Sequence, residues 1–260
     1  MSRTVGCEHE YVRIDNSDGR YGLAAAYNEG VRRAKGQVLV FVHDDVYFLE
    51  KGWGRRLEER FAGDHGIGLI GVAGAQVLLR HHSGWPLIGP PYTVALVFHE
   101  YGFMRFPRVD DLRRRWLRWQ GRLPYEPYEM EAVVVDGLFV AMPRRLFDSV
   151  SWGEETFDGY HFYDADICMQ VRRTHRIIVM ADLLVKHKRA HGDRSHGNVA
   201  TAWPAYHQRF ATKYREELPA SCVPLADVLS TVERAPPGAM RDYRLRILRI
   251  ELAEVAKGAE

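Results

Sequence analysis

The chain has 260 residues, 46% of them hydrophobic and 27% charged, with a formal net charge of +2. That composition supports one substantial core with a small appendage, argues against two full domains, and gives no global electrostatic case for nucleic-acid binding. Cys7, Cys168 and Cys222 lack metal or redox spacing, no apolar run reaches membrane-spanning length, and the N-terminus has no hydrophobic signal core, so the expected location is cytoplasmic.

Glu10 to Ile14 (EYVRI) reads as a short strand, closed by the turn residues Asp15 to Gly19. From Gly22, LAAAYNEGVRRA sets Leu23, Ala26, Tyr27, Gly30 and Val31 along one helical face. Gln37 to Tyr47 (QVLVFVHDDVY) is an apolar run without polar alternation, which suits a strand of a parallel sheet buried on both faces, and it stops on His43, Asp44 and Asp45. Strand, helix and strand would form a right-handed βαβ unit that brings Asp15 and Asp45 to the same sheet edge. Ligands of open α/β sheets collect at the carboxyl ends of strands, so these acids stand where a cation or polar ligand would be met. The plainer alternative is that His43 and Asp44 only cap the next turn.

Trp53 to Phe61 predicts a helix with Trp53, Leu57 and Phe61 on one side, and Gly68 to Leu79 a further buried strand. HHSGWPLIGPP then reads as a loop, followed by an edge hairpin up to Met104. Asp110 to Gln120 reads as a helix that exposes Trp116 and Trp119, either an interface segment for an acceptor or a membrane surface, or a packed helix with a solvated basic face. Ala132 to Ala141 is a strand interrupted by Asp136 and Gly137, and Pro143 opens a helix. Tyr163 to Arg173 is helical, with Asp164 and Asp166 in a first turn whose capping explains one carboxylate more readily than two. The last strand, from Ile177 to Val185, leads to His187, a better ligand candidate than the loop residues His191 and His196. Trp203 to Glu216 is an amphipathic helix, residues 219–237 read as a linker, and Arg241 to Lys257 forms a final helix with a stripe of Leu245, Leu248, Leu252 and Val255. That stripe suits docking on its own domain first, pairing of subunits into a homo-oligomer second, and a membrane surface third. The expected division is residues 1–218 and a C-terminal extension, 219–260.

Taken in order, DN after the first strand, AYNEG in the next helix, FVHDDV, DGLFVA, YHFYDADIC and VKH resemble the motifs of family 2-type glycosyltransferases, in the bacterial branch that writes its metal motif His-x-Asp. The resemblance implies an α/β, GT-A-like fold with a mostly parallel sheet flanked by helices. It also implies a nucleotide-diphosphate sugar donor, Mn²⁺ or Mg²⁺, and inversion at the anomeric carbon. The acceptor would be a glycan, a lipid-linked molecule or a small molecule, with peripheral membrane contact through residues 110–120 or 241–257. By matching positions, Asp45 and His187 would bind the metal, His43 or Asp44 would face the donor's ribose and diphosphate, Asp15 would read the nucleoside, and Asp164 would be the catalytic base. Beside these, Asp136 and Gly137 are placed to meet the sugar, and Asp166 to orient the acceptor or hold its turn. The family's usual opening strand is not legible, and the chain begins almost at the second. The alternatives are an upstream start, an altered base pocket or lost nucleotide binding. The competing function is therefore a glycosyltransferase-like domain that binds sugar or nucleotide without turnover. A nucleotidyltransferase is weaker, since no Gly-rich phosphate loop with a following Lys is present.

Overall fold

The computed structural model describes residues 3–99, 102–105, 129–180, 183–188 and 199–258. The first helix, α1 (Leu23–Arg33), buries Ala24 and Ala26 and leads to β1 (Val38–Val42) and the short β2 (Val46–Phe48). In α2 (Trp53–Gly63), Trp53, Leu57 and Phe61 are buried together, as their four-residue spacing predicts. The glycine-rich run that follows is broken into β3 (Ile67–Gly71), β4 (Ala73–Ala75) and β5 (Val77–Leu78). The expected hairpin is present as β6 (Thr93–His99) and β7 (Gly102–Arg105), and the 132–141 run is divided among β8 (Glu129–Ala132), β9 (Val134–Val135) and β10 (Phe139–Pro143). After a 3-10 turn at Arg144–Asp148 come α3 (Tyr163–Val171), β11 (Arg176–Met180), β12 (Val185–His187) and α4 (Val199–Lys213). The chain closes with β13 (Ala220–Ser221), α5 (Leu225–Glu233) and α6 (Ala239–Gly258).

Five strands form one sheet in the order β1-β10-β3-β11-β8, and six form a second, β2-β12-β6-β4-β9 with β7 alongside β6. The α/β class is as expected, but the strand direction is not. Among the described pairings only β3–β11 and β6–β12 run parallel. An unalternating apolar run reports burial of both sheet faces and says nothing of direction, which explains the difference. In β10 all five residues are buried, although its paired neighbours β1 and β3 both run antiparallel to it. The strand β1 is itself an edge strand, with Leu39 and Phe41 buried and Val38, Val40 and Val42 half-buried. Gly74 permits a tight crossing, since a Cβ there would lie 2.3 Å from the Val134 carbonyl oxygen of β9.

Two further expectations are corrected. Glu10 to Ile14 forms no strand, so there is no βαβ unit at the start of the described chain. The segment is held instead by the Glu10 carboxylate, which accepts from the Gly36 amide at 2.9 Å, and by Val12 against the core. Residues 219–237 are not a linker: β13 pairs with β5, and Val228 and Val232 of α5 are buried with Val77, Leu79, Leu87 and Ile88. Leu245 and Leu248 of the α6 stripe join that same cluster, while Val255 stays exposed. The 110–120 helix, with Trp116 and Trp119, lies outside the described residues, as do His191 and His196. No helix among the described residues is long and apolar enough to cross a membrane.

Candidate active site

Antiparallel pairing of β1 with β10 sets Val42 opposite Phe139, so the turn after β1 lies beside the turn before β10. The His43 amide donates to the Leu138 carbonyl at 3.1 Å. Three residues later Val46 of β2 faces His187 of β12, and the Lys188 amide donates to the Asp45 carbonyl at 2.8 Å. Backbone pairing thus gathers His43, Asp45 and His187, whose ligand atoms all lie within 4.8 Å of one another. His187 Nε2 is 3.0 Å from Asp45 Oδ1, an oxygen shielded from solvent that takes up no aligned hydrogen bond. One carboxylate oxygen and two imidazoles at this spacing fit a divalent cation. Burial holds the His43 imidazole below its usual pKa, against the charge of Asp136, which favours the neutral form a metal requires.

Helix α3 supplies the neighbouring groups. Phe162, its N-cap, has φ of 64°, a left-handed conformation that costs an aromatic residue about 1–2 kcal/mol. The next residue, Tyr163, is buried and places its hydroxyl 2.9 Å from His43 Nε2. Asp164 accepts from the Gly137 amide at 3.0 Å and from the Ala165 amide at 2.8 Å. Its pKa is pushed up to about 7, first by burial and then by the charge of Asp136, with the two amides opposing. The half-buried carboxylate remains open on one side to a cleft of about 390 Å³. Gly137 leaves room for the Tyr163 hydroxyl that reaches His43, because a Cβ there would fall 2.0 Å from it.

The expected site residues therefore separate into groups. Asp45 and His187 come together, and His43, expected to face the donor, stands with them. Asp164 and Gly137 are hydrogen-bonded to each other beside this group. Asp136 bridges them electrostatically, while its two oxygens accept from Trp85 Nε1 at 3.1 Å and the Leu138 amide at 2.9 Å. Asp44 is exposed in the turn, close enough for its charge to act on His43 and Tyr27. Asp15 is in an exposed loop, where it accepts from the Ser17 amide at 3.0 Å, and no described hydrogen bond or ion pair joins it to the other candidates. For Asp166 the acceptor-orienting alternative is corrected. This residue is fully buried and bonded to Lys213 Nζ at 2.5 Å, the Tyr214 hydroxyl at 2.6 Å and Gln170 Nε2 at 2.9 Å, so it ties α3 to α4 and has no room for a ligand. Sequence reasoning passed over Tyr163, Trp85 and Trp203. The first was legible only as the neighbour of Asp164, the second only as part of an irregular loop.

A search among curated proteins returns no match. Among solved structures, GalNAc-T7 with UDP, GalNAc and Mn²⁺ is similar, with 13% identity and a TM-score of 0.45 over 86% of this chain and 41% of that one. The chain thus spans about two fifths of that protein's length. The model of the glycosyltransferase-like family matches residues 1–217, well over half of the sequence, and the chain belongs to that family.

Proposed function

We propose that the chain moves a sugar from a nucleotide-diphosphate donor to an acceptor hydroxyl, inverting the anomeric carbon, with Asp164 as general base. The observation that carries the reading is the double role of the 136–138 turn. Its Gly137 amide donates to a carboxylate poised near neutrality, and its Leu138 carbonyl accepts from the first residue of the His43, Asp45 and His187 group. His43, Asp45 and His187 would hold Mn²⁺ or Mg²⁺, which when bound neutralises charge on the departing diphosphate.

Asp164 would take the acceptor's proton as its oxygen attacks on the face opposite the leaving group, a contribution of roughly 10²- to 10⁴-fold. Asp136 raises the proton affinity of that base through its own charge. Tyr163 orients the His43 ring through the hydroxyl contact. Asp44, exposed beside the group, is proposed to meet the donor's ribose or diphosphate, and Asp15 its nucleoside.

The test is release of nucleoside diphosphate from a panel of nucleotide sugars with Mn²⁺ or Mg²⁺ present. Wild type should release it from at least one donor. Asp164→Asn should keep the cation-dependent thermal shift by that donor and lose release. Donor binding by wild type without any release would assign a binding domain instead, and undiminished activity of Asp164→Asn would remove it from the base role.

A further inference from the structure

The cleft onto which Asp164 opens is walled by His82, Trp85, Tyr160, His161, Phe162 and Trp203. Among the described residues His43, Asp45 and His187 do not line it, and the cleft meets the proposed reaction centre at Asp164. Resting on the glycosyl-transfer reading, we infer that this cleft binds a neutral saccharide acceptor, with a pyranose ring against the Trp85 and Trp203 walls and a hydroxyl delivered to Asp164.

Three observations favour that class. The volume, about 390 Å³, suits one or two sugar rings and is in the range of small-molecule sites. The walls are aromatic, and an aromatic face packs against the C–H face of a pyranose while leaving its hydroxyls for polar groups. Among the described lining residues there is a carboxylate and no Lys or Arg, so an acceptor presenting phosphate or another acid to them would meet repulsion with no compensating cation from that set. His82 does not alter this, because burial, then the neighbouring His207, holds its pKa down and keeps the ring neutral at pH 7.

The walls are also braced before any ligand arrives. Trp85 is fixed by its bond to Asp136, and Trp203 stacks on His207 with ring centres 5.0 Å apart and planes 10° from parallel. The outer wall is held by α6, which lies beyond the span matched by the family. Tyr243 OH is 2.9 Å from His82 Nδ1, Arg244 Nε donates to the Leu87 carbonyl at 2.6 Å, and Glu251 accepts from the His81 amide at 2.6 Å. Such preorganisation lowers the ordering cost of binding, and it makes the shape of the cleft a property of this chain's own C-terminal extension.

The full chain should be applied, with Mn²⁺, to a printed array carrying neutral glycans, acidic glycans and lipid-linked diphosphate sugars. Retention of a subset of neutral glycans is expected, weakened about tenfold or more by Trp203→Ala and by Trp203→Leu, which keeps bulk and burial without the ring. Tyr243→Phe should weaken retention about threefold by loosening His82. An intact Mn²⁺-induced thermal shift in each variant reports that it is folded. No neutral glycan retained, retention unaffected by both Trp203 variants, or preference for acidic or lipid-linked material would overturn the inference. Donor hydrolysis by wild type is read separately. If it persists without glycan retention, only this inference fails; if it is absent, the glycosyl-transfer reading fails.

Discussion

Replacing Asp164 by Asn should stabilise the protein while removing its proposed activity, and the gain should depend on pH. In the folded chain Asp164 binds its proton more tightly than its ordinary value of 3.8 implies, so the group contributes stability at low pH that is lost as pH rises from about 4 through about 7. For a fully sequestered group that displacement is worth about 4 kcal/mol, and since Asp164 retains an open side, about half, roughly 2 kcal/mol, is the working figure. Asn offers one acceptor oxygen where the carboxylate offers two, so either the Gly137 or the Ala165 amide loses its partner, at about 1 kcal/mol. Without donor and with a chelator present, the Asn variant should match wild type near pH 5 and exceed it by about 1 kcal/mol at pH 8, or about 2–4 °C in Tm. Thermal unfolding of both proteins at the two pH values reads this directly. A variant whose stability relative to wild type is the same or lower at pH 8 than at pH 5 would refute the idea that burial and Asp136 tune this carboxyl.

Three other outcomes follow from the geometry. Gly137→Ala should cost about 1–3 kcal/mol in urea unfolding and weaken the cation response, because the new methyl displaces Tyr163 from His43; wild-type values for both would contradict the contact. Asp45→Ala should abolish most of the stabilisation by Mn²⁺, about 2.7 kcal/mol for wild type when the ion is at a hundredfold its Kd, and an equal thermal shift in the variant would place the ion elsewhere. Lys213→Met should lower stability by about 2–3 kcal/mol, less than a fully buried pair because the lysine is partly exposed, and a midpoint unchanged in urea would mean that Tyr214 and Gln170 alone satisfy Asp166.

The elements that were legible in the sequence are those whose local pattern and tertiary role agree. Trp53, Leu57 and Phe61 of α2 are an example. Asp45 and His187 stand together as the order of motifs implied, but the cleft onto which Asp164 opens is lined by neither of them. What local pattern leaves open is pairing. Val38 to Val42 reads as apolar whether its neighbour is parallel or antiparallel, and only the register with Phe139 decides that His43 stands beside Leu138. Asp166 was legible only in part, since its facing side could be read but its partners could not. Two residues from Asp164 on a helix it faces a different side, and its partners Lys213 and Tyr214 are 47 and 48 residues away. The 219–237 segment read as a linker, yet Val228 and Val232 are an ordinary one-sided helical face that finds its partners in β5 and the following loop. Trp85 lies in text with no periodicity at all, and only its bond to Asp136 marks its use.

Consider what the first four residues of α3 hold at once. Tyr163 reaches the His43 ring, Asp164 engages the 136–138 turn, and Asp166 is clamped by α4, so three anchors leave this short rod no freedom to roll or slide. A helix pinned in three directions acts as a fixed datum. Any adjustment between one bound partner and another must then be made by the molecules that enter, and tolerance for altered substrates in the proposed reaction should be decided by the side chains that wall the cleft, Trp85 and Trp203 among them, and hardly at all by the helix that bears the carboxylate.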